Sequence, residues 1–415
     1  MNILFITQVY PDEEGCKTLR SSSVCHYWTK EWVKQGHNVM VIYCYPNYSS
    51  LFHWIAKKCP HYIAQFTNGT LTQKTTNIIE YQKDEVNILK IPMYKFCPKI
   101  RYSQQIIEHI IDTTTRVLKK KKFKPELILS HFDNPILEIA GKLKDIYNIP
   151  LSFVLHGYAK DIRRLYPNNY QELINKVDVW GYRSLAIKED FDSNYGKKAK
   201  SFICYSGIPD SYIANIECQA EKIKGKICYV GALIKRKYPE KILIALLPLL
   251  KKQEISLTYI GEGALKKRIY TIARKNNILT QVNLAGHISR DAVQKELSNS
   301  DYFIMISRHE TFGMVYLEAM AHGCITIASK KEGFDGIIEH GVNGFLCKAG
   351  DEKELYNLLC QINLMDRQTL STIRMNAIKT AQKMTESIIA KKYLENVLNL
   401  LNKTYHNNDQ KSMSN

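Results

Sequence analysis

The sequence predicts an α/β chain with two doubly wound parallel-sheet domains facing across a cleft, and three observations carry that prediction. Short β-rich apolar runs alternate with helical stretches, as buried parallel strands and their crossover helices do. The alternation restarts after about residue 225. The 415 residues also exceed one core at roughly 150 residues per domain.

The first half opens with NILFI, the length a buried strand needs, then a polar loop holding Gly15. A helical stretch from Leu19 to Gln35 stops at Gly36, and HNVMVIYCY follows as the next strand. Strand, helix, strand within about 45 residues is a βαβ unit with a right-handed crossover. Residues 47–103 are less regular, and Asn68-Gly69 reads as a hairpin turn. A helix over Gln104–Lys121 precedes the strands ELILSHF, LSFVLHG, VDVWGYR and SFICYSGIP.

The second half repeats the pattern. The strands are KICYVGA, SLTYIGEG, VNLAGHI, DYFIMIS and CITIAS, with helices near Pro239–Lys252 and Ala264–Asn276, and Glu352–Leu401 reads as helices. The expected organisation is therefore an N-terminal domain over 1–205 and a second over 206–385. A helix over 386–403 should pack back toward the first domain, and a loose tail should follow over 404–415.

Composition narrows the class. The chain is 45% hydrophobic and 24% charged, which excludes disordered, collagen-like and small disulfide-stapled proteins. Fifty-eight basic against 40 acidic residues give +18, which points to polyanionic neighbours: nucleic acid, anionic lipid or phosphorylated substrates. No run approaches the roughly 18 apolar residues of a membrane span, and the N-terminus reads as a buried strand rather than a signal peptide. The 11 cysteines, without a CxxC pair, suit reduced core thiols and a cytoplasmic location. The sequons at Asn47, Asn68 and Asn402 are then idle.

The most informative segment is SRHETFGMVYLEAMAHG, residues 307–323. Glu310 lies in a strand-to-helix loop and Glu318 falls eight positions on, inside the helix. Gly313 permits close backbone approach, and helix N-terminal amides attract anions. Two carboxylates beside such amides suit a ligand with both hydroxyls and phosphate: the carboxylates accept from sugar hydroxyls, and the amides hold the diphosphate. By itself, a Glu pair on a charged surface helix would carry no such meaning.

With its flanking letters, the segment resembles the retaining glycosyltransferases of family 4, of GT-B fold with two Rossmann-like domains. Their Glu-x7-Glu hallmark reads here E-TFGMVYL-E, followed by AMAHG and, over residues 333–346, by GFDGIIEHGVNGFL. The resemblance implies that Glu310 contacts donor-sugar hydroxyls. It implies that the backbone of Phe312, Gly313, Met314 and Val315 faces sugar and phosphates, and that Glu318 binds the ribose. YVGALIKRKYPE, residues 229–240, looks like the family's glycine-to-lysine segment from Gly231, placing the family Lys on Lys237. The family Arg falls on Ala232, a departure for which Arg236 is the candidate substitute. Gly261 and Gly263 match a glycine pair near the nucleotide, and Ile288 in AGHI the position that holds the base. Gly15 matches the first glycine loop loosely, since the family often has two glycines there.

His156 ends a strand, and the resemblance implies contact with the donor sugar near its reacting carbon. His131 and Asp161 are weaker candidates, Asp161 for an acceptor hydroxyl. Asp190 and Asp192 form a DxD but lie on a helical stretch and read as a solvated face. No His/Cys/Asp cluster has metal-ligand spacing, so no cofactor and no metal are expected. The expected activity is metal-independent transfer of a hexose-type sugar. The donor is a nucleotide-sugar, UDP-linked in preference to GDP-linked, and the acceptor a saccharide or a lipid-linked acceptor. Lys-, Asn- and Ile-rich usage points to an AT-rich bacterial genome, and so to surface polysaccharide such as capsule or lipopolysaccharide. Two alternatives stand beside it: a sugar-nucleotide epimerase on the same fold, and a basic nucleic-acid-binding protein. The latter lacks helix-turn-helix, zinc-finger and RNA-motif signatures. The basic run LKKKKFK and the aromatic, lysine-bearing residues 51–66 suit peripheral docking on an anionic membrane.

Overall fold

The computed structural model describes residues 1–13, 24–59, 74–97, 100–214 and 225–412, with side chains described through residue 402. Gly15, the Asn68-Gly69 turn and the start of the Leu19–Gln35 helix lie outside the described residues. The chain forms two α/β units. One comprises Met1–Arg183, Ile187–Tyr205 and Ser387–Asn415; the other comprises Ser184–Ala186 and Ser206–Glu386.

The first unit holds an eight-stranded sheet: β1 (Asn2–Thr7), β2 (Asn38–Asn47), β3 (Ile79–Lys83), β4 (Val86–Tyr94), β5 (Leu127–His131), β6 (Leu151–Leu155), β7 (Val179–Tyr182) and β8 (Ser201–Ile203). Their order is β3-β4-β2-β1-β5-β6-β7-β8, parallel except at the β3–β4 edge. Sheet residues alternate between two cores. Leu4 and Ile6 of β1 join the layer with Ile107, Ile110 and Leu137. Ile3 and Phe5 join the opposite layer with Trp28 and Trp32. Burial on both faces explains why β1 is continuously apolar.

The irregular region conceals the hairpin β3–β4. Its turn is Asp84-Glu85, both at positive φ (45° and 64°). The sequence gives little warning, because Asp-Glu is not a usual left-handed pair. Asp84 is held from outside the hairpin, accepting from His26 Nε2 at 2.7 Å with Lys30 at 3.4 Å.

The final helix, Glu386–Ser412, starts in the second unit and packs in the first. Ala390, Tyr393, Leu394 and Val397 are buried with Trp28 and Trp32, and the indole of Trp32 donates to the Ala390 carbonyl at 2.9 Å. The helix outruns the expected 386–403 span. No Gly or Pro interrupts residues 404–412, so no local breaker ends it there.

The second unit holds six parallel strands: β9 (Lys226–Val230), β10 (Ser256–Ile260), β11 (Val282–Gly286), β12 (Tyr302–Ile304), β13 (Ile325–Ser329) and β14 (Phe345–Cys347). Their order is β11-β10-β9-β12-β13-β14. The order reverses between β9 and β12, and ligands in such sheets bind beyond the strand ends at this switch. The first sheet has its own switch between β1 and β5.

Candidate active site

Strands β9 and β12 pair in parallel, so the loops after them emerge side by side. The β9 loop carries a short 3-10 turn, Lys235–Lys237, and the β12 loop carries Glu310. Lys237 Nζ lies 3.0 Å from Glu310 Oε2, and Arg236 Nη1 lies 3.6 Å from the same oxygen. Arg236 is tied in further. Its carbonyl accepts from the Arg308 amide at 2.7 Å, and its guanidinium donates to the His309 carbonyl at 3.3 Å. Thus the two cations, separated from Glu310 by more than 70 residues, share one carboxylate.

Glu310 is 9% exposed. Burial pushes its carboxyl upward, but Lys237 and Arg236, with the Ser307 hydroxyl at 3.3 Å, outweigh it and hold the pKa below the ordinary value. Sequence reasoning missed the residues beneath. Tyr316, fully buried, donates to the Met305 carbonyl at 2.7 Å and meets the Ser307 hydroxyl at 3.1 Å. Glu332 accepts from the Glu310 amide at 3.0 Å. A Cβ at Gly333 would stand 2.4 Å from the Glu310 carbonyl oxygen, so a side chain there would displace the loop. The signal for these was adjacency: Ser307 and Tyr316 lie within the Glu-x7-Glu segment, and Glu332 just before the glycine-rich stretch.

Gly313 caps the helix Met314–Ala321 at φ 84°, and a Cβ there would meet the Tyr316 ring at 2.6 Å. Phe312 is buried against Phe334, and at the start of the helix the Met314 and Val315 amides have no intrahelical acceptor, while that of Tyr316 donates to the Gly313 carbonyl at 3.0 Å. Glu318 lies inside this helix. Burial raises its pKa, and Arg290 at 3.7 Å only partly offsets that. Arg290 also sits over Tyr212, 5.7 Å from the ring centre.

The glycine pair has a packing role. A Cβ at Gly261 would lie 2.1 Å from the Gly231 carbonyl oxygen, and one at Gly263 2.4 Å from that of Leu233. The post-β9 and post-β10 loops touch backbone to backbone, with Gly231 N–H donating to Ile260 and Leu233 N–H to Glu262, each at 2.9 Å. Beyond β11, Ile288 is half-buried and its carbonyl sits 3.2 Å from His287 Nδ1.

His156 belongs to the first unit. Its Nε2 meets His131 Nδ1 at 2.8 Å, and its ring stacks on Phe132 at 3.9 Å. Asp161 pairs with Arg164 at 3.0 Å. The DxD is structural: Asp190 accepts from the Ala159 amide at 2.7 Å, and Asp192 pairs with Lys188 one helical turn away.

Comparisons with known proteins follow the same division. Residues 217–384 match the family model Glycosyl transferases group 1. An uncharacterized glycosyltransferase of Methanocaldococcus jannaschii is 28% identical over 242 residues, 57% of this chain and 65% of that one. The amylovoran biosynthesis glycosyltransferase AmsK of Erwinia amylovora is 23% identical over 88% of this chain and 91% of its own. Among solved structures, Anabaena HepE in complex with UDP superposes with a TM-score of 0.65 at 17% identity, covering 96% of this chain and all of that one. The likeness to the solved structures shows a GT-B fold. The family model covers residues 217–384 of the second unit, whereas the AmsK match and the fold match span most of the chain.

Proposed function

We propose that the chain is a retaining, metal-independent glycosyltransferase that moves a hexose-type sugar from a nucleotide-sugar to a saccharide or lipid-linked acceptor in bacterial surface polysaccharide synthesis. The observation that carries this is the convergence of Lys237 and Arg236 on Glu310 at the β9/β12 switch, beside the helix that bears Glu318. A UDP-sugar is the favoured donor and a GDP-sugar the second choice. HepE, crystallised with UDP and with UDP-glucose, supports the first, and AmsK supports the polysaccharide setting.

In this reading Glu310 accepts from sugar hydroxyls while it steadies two cations. Lys237 and Arg236 stabilise the charge that develops on the departing diphosphate. The backbone amides from Phe312 to Val315 face sugar and phosphate, Glu318 takes the ribose, and Gly231, Gly261, Gly263 and Ile288 shape the nucleotide pocket. The anomeric carbon–oxygen bond breaks and the acceptor oxygen bonds on the same face. The acceptor proton passes to the leaving phosphate oxygen, and the protein supplies position and charge. His156 adds a hydrogen bond to the donor sugar.

A cytoplasmic enzyme docked peripherally on an anionic membrane fits the first unit's surface. The helix Ser50–Lys58 exposes Leu51 (65%) and Trp54 (55%), with Lys58 4.4 Å from the Trp54 ring. No described helix is long and apolar enough to cross a membrane. The rest of the expected aromatic patch, residues 60–66, lies outside the described residues.

A thermal-shift panel with UDP, GDP, CMP, ADP and their sugar conjugates, with and without EDTA, tests the donor reading. Stabilisation by one nucleotide, unchanged by EDTA, is expected. Silence toward all of them, together with retention on RNA or DNA, would overturn it in favour of nucleic-acid binding. Binding to anionic vesicles at low salt tests the membrane reading, and no binding would remove it.

A further inference from the structure

Three side chains from separate parts of the first unit form one buried hydrogen-bonded chain. His156, just after β6, meets His131, the last residue of β5, at 2.8 Å through Nε2 and Nδ1. His131 Nε2 meets the Tyr393 hydroxyl of the C-terminal helix at 3.1 Å. His131 is fully buried and Tyr393 2% exposed. Trp28 stacks on His131 at 4.5 Å, and Phe5 and Tyr393 complete an aromatic wall around it.

Both imidazoles are neutral. Burial drives each pKa well below 6.5, and the fixed charge of Arg183 pushes the same way. Arg183 is itself buried, donating to the Cys204 carbonyl at 2.6 Å with its guanidinium over Trp28. Burial also keeps Tyr393 protonated. Each neutral ring carries one proton, so the chain can run in only two directions. If His131 donated to the Tyr393 oxygen, the phenol proton would be buried without an acceptor among the described residues. An unmet buried donor is costly. With the phenol donating to His131 Nε2, every proton in the chain has a place. His131 then donates from Nδ1 to His156 Nε2, and the remaining proton sits on His156 Nδ1.

We infer that Tyr393, through His131, is a positioning residue that fixes His156 as its Nδ1–H tautomer, so that the half-buried ring presents a donor rather than a lone pair to its ligand. His156 therefore hydrogen-bonds an oxygen, such as a sugar hydroxyl, and does not act as a general base. The tautomer stands on the hydrogen-bond geometry and the neutrality of the two rings; the ligand rests on the glycosyltransferase reading above.

Two-bond proton–nitrogen correlation spectra of protein labelled with 15N-histidine read the tautomers directly, with His156→Asn for assignment. In the unaltered protein both His131 and His156 should carry the proton on Nδ1, against the Nε2–H form usual for free neutral histidine. Tyr393→Phe keeps the ring and removes only the hydroxyl. It should lose this pattern at His156 and, with a nucleotide-sugar donor, lower turnover about tenfold. A wild-type His156 protonated on Nε2, or a Tyr393→Phe spectrum identical to wild type, overturns the inference. Absence of glycosyl transfer with the predicted tautomers in place would instead count against the proposed function.

Discussion

The two sheets use the same strand-order reversal, yet the groups they set beyond their strand ends differ in kind. In the second unit, the loops after β9 and β12 bring two cations onto one carboxylate. In the first, β5 ends in and β6 is followed by neutral imidazoles linked to a phenol, and the buried Arg183 donates to a backbone carbonyl. One topology thus delivers fixed charge in one place and directional hydrogen bonding in another. Where a diphosphate must depart, fixed cations are the useful device. Where an uncharged sugar must be oriented, a ring of defined tautomer suffices.

The largest effect that would break this contrast lies in the charged cluster. Lys237→Ala should lower turnover about 100-fold or more, and Arg236→Ala about tenfold. The ranking follows from geometry. Lys237 sits 3.0 Å from Glu310 with a 13% exposed side chain, whereas Arg236 sits at 3.6 Å and is 43% exposed. Near-normal rates for Lys237→Ala in a transfer assay would remove the cluster from the chemistry. Equal losses for both variants would mean that burial does not rank them.

The pH dependence of stability should separate the units by sign. Glu310 has its pKa lowered from 4.5, so its ionised form stabilises the fold above that value and the benefit is lost as pH falls through the lowered folded value. Glu310→Gln should therefore melt below wild type at neutral pH, with the gap closing in acid. Asp133, beyond β5, is pushed up to about 6, first by burial and then by Asp161. Its contribution is complete below 3.8 and lost as pH rises through about 6. Asp133→Asn should match wild type near pH 4 and melt above it at pH 8. Melting curves across pH 4–8 for both variants check this. Parallel trends would show that the two strand ends are electrostatically alike.

Much of this was legible in the sequence, for different physical reasons in each half. Period and run length reveal parallel strands because burial on both faces makes them continuously apolar, as NILFI and KICYV show. Glu310, Lys237 and Glu318 were singled out because each lies in a short contiguous segment that resembles a family motif, and the fold brings Lys237 onto Glu310. The hairpin β3–β4 was not, because its turn depends on His26 and Lys30 holding Asp84 from elsewhere in the chain. The His131–Tyr393 contact was not, because it spans 262 residues and has no local pattern. Gly261 and Gly263 were found as glycines, but the backbone contact that demands them appears only in the fold.

The smallest effects concern the DxD of the first unit, a pattern that elsewhere serves metal chemistry. Asp190 accepts from the Ala159 amide at the start of the short helix that follows His156. Asp190→Ala leaves that amide without its acceptor and should cost about 1–2 kcal/mol of stability. Asp192 pairs with Lys188 across one helical turn, an arrangement worth about 0.3–0.5 kcal/mol. Asp192→Asn should thus be near-silent in both melting and turnover, and neither variant should respond to added Mn2+ or Mg2+. A large loss of turnover in Asp192→Asn that Mn2+ partly restores would make the DxD a metal site.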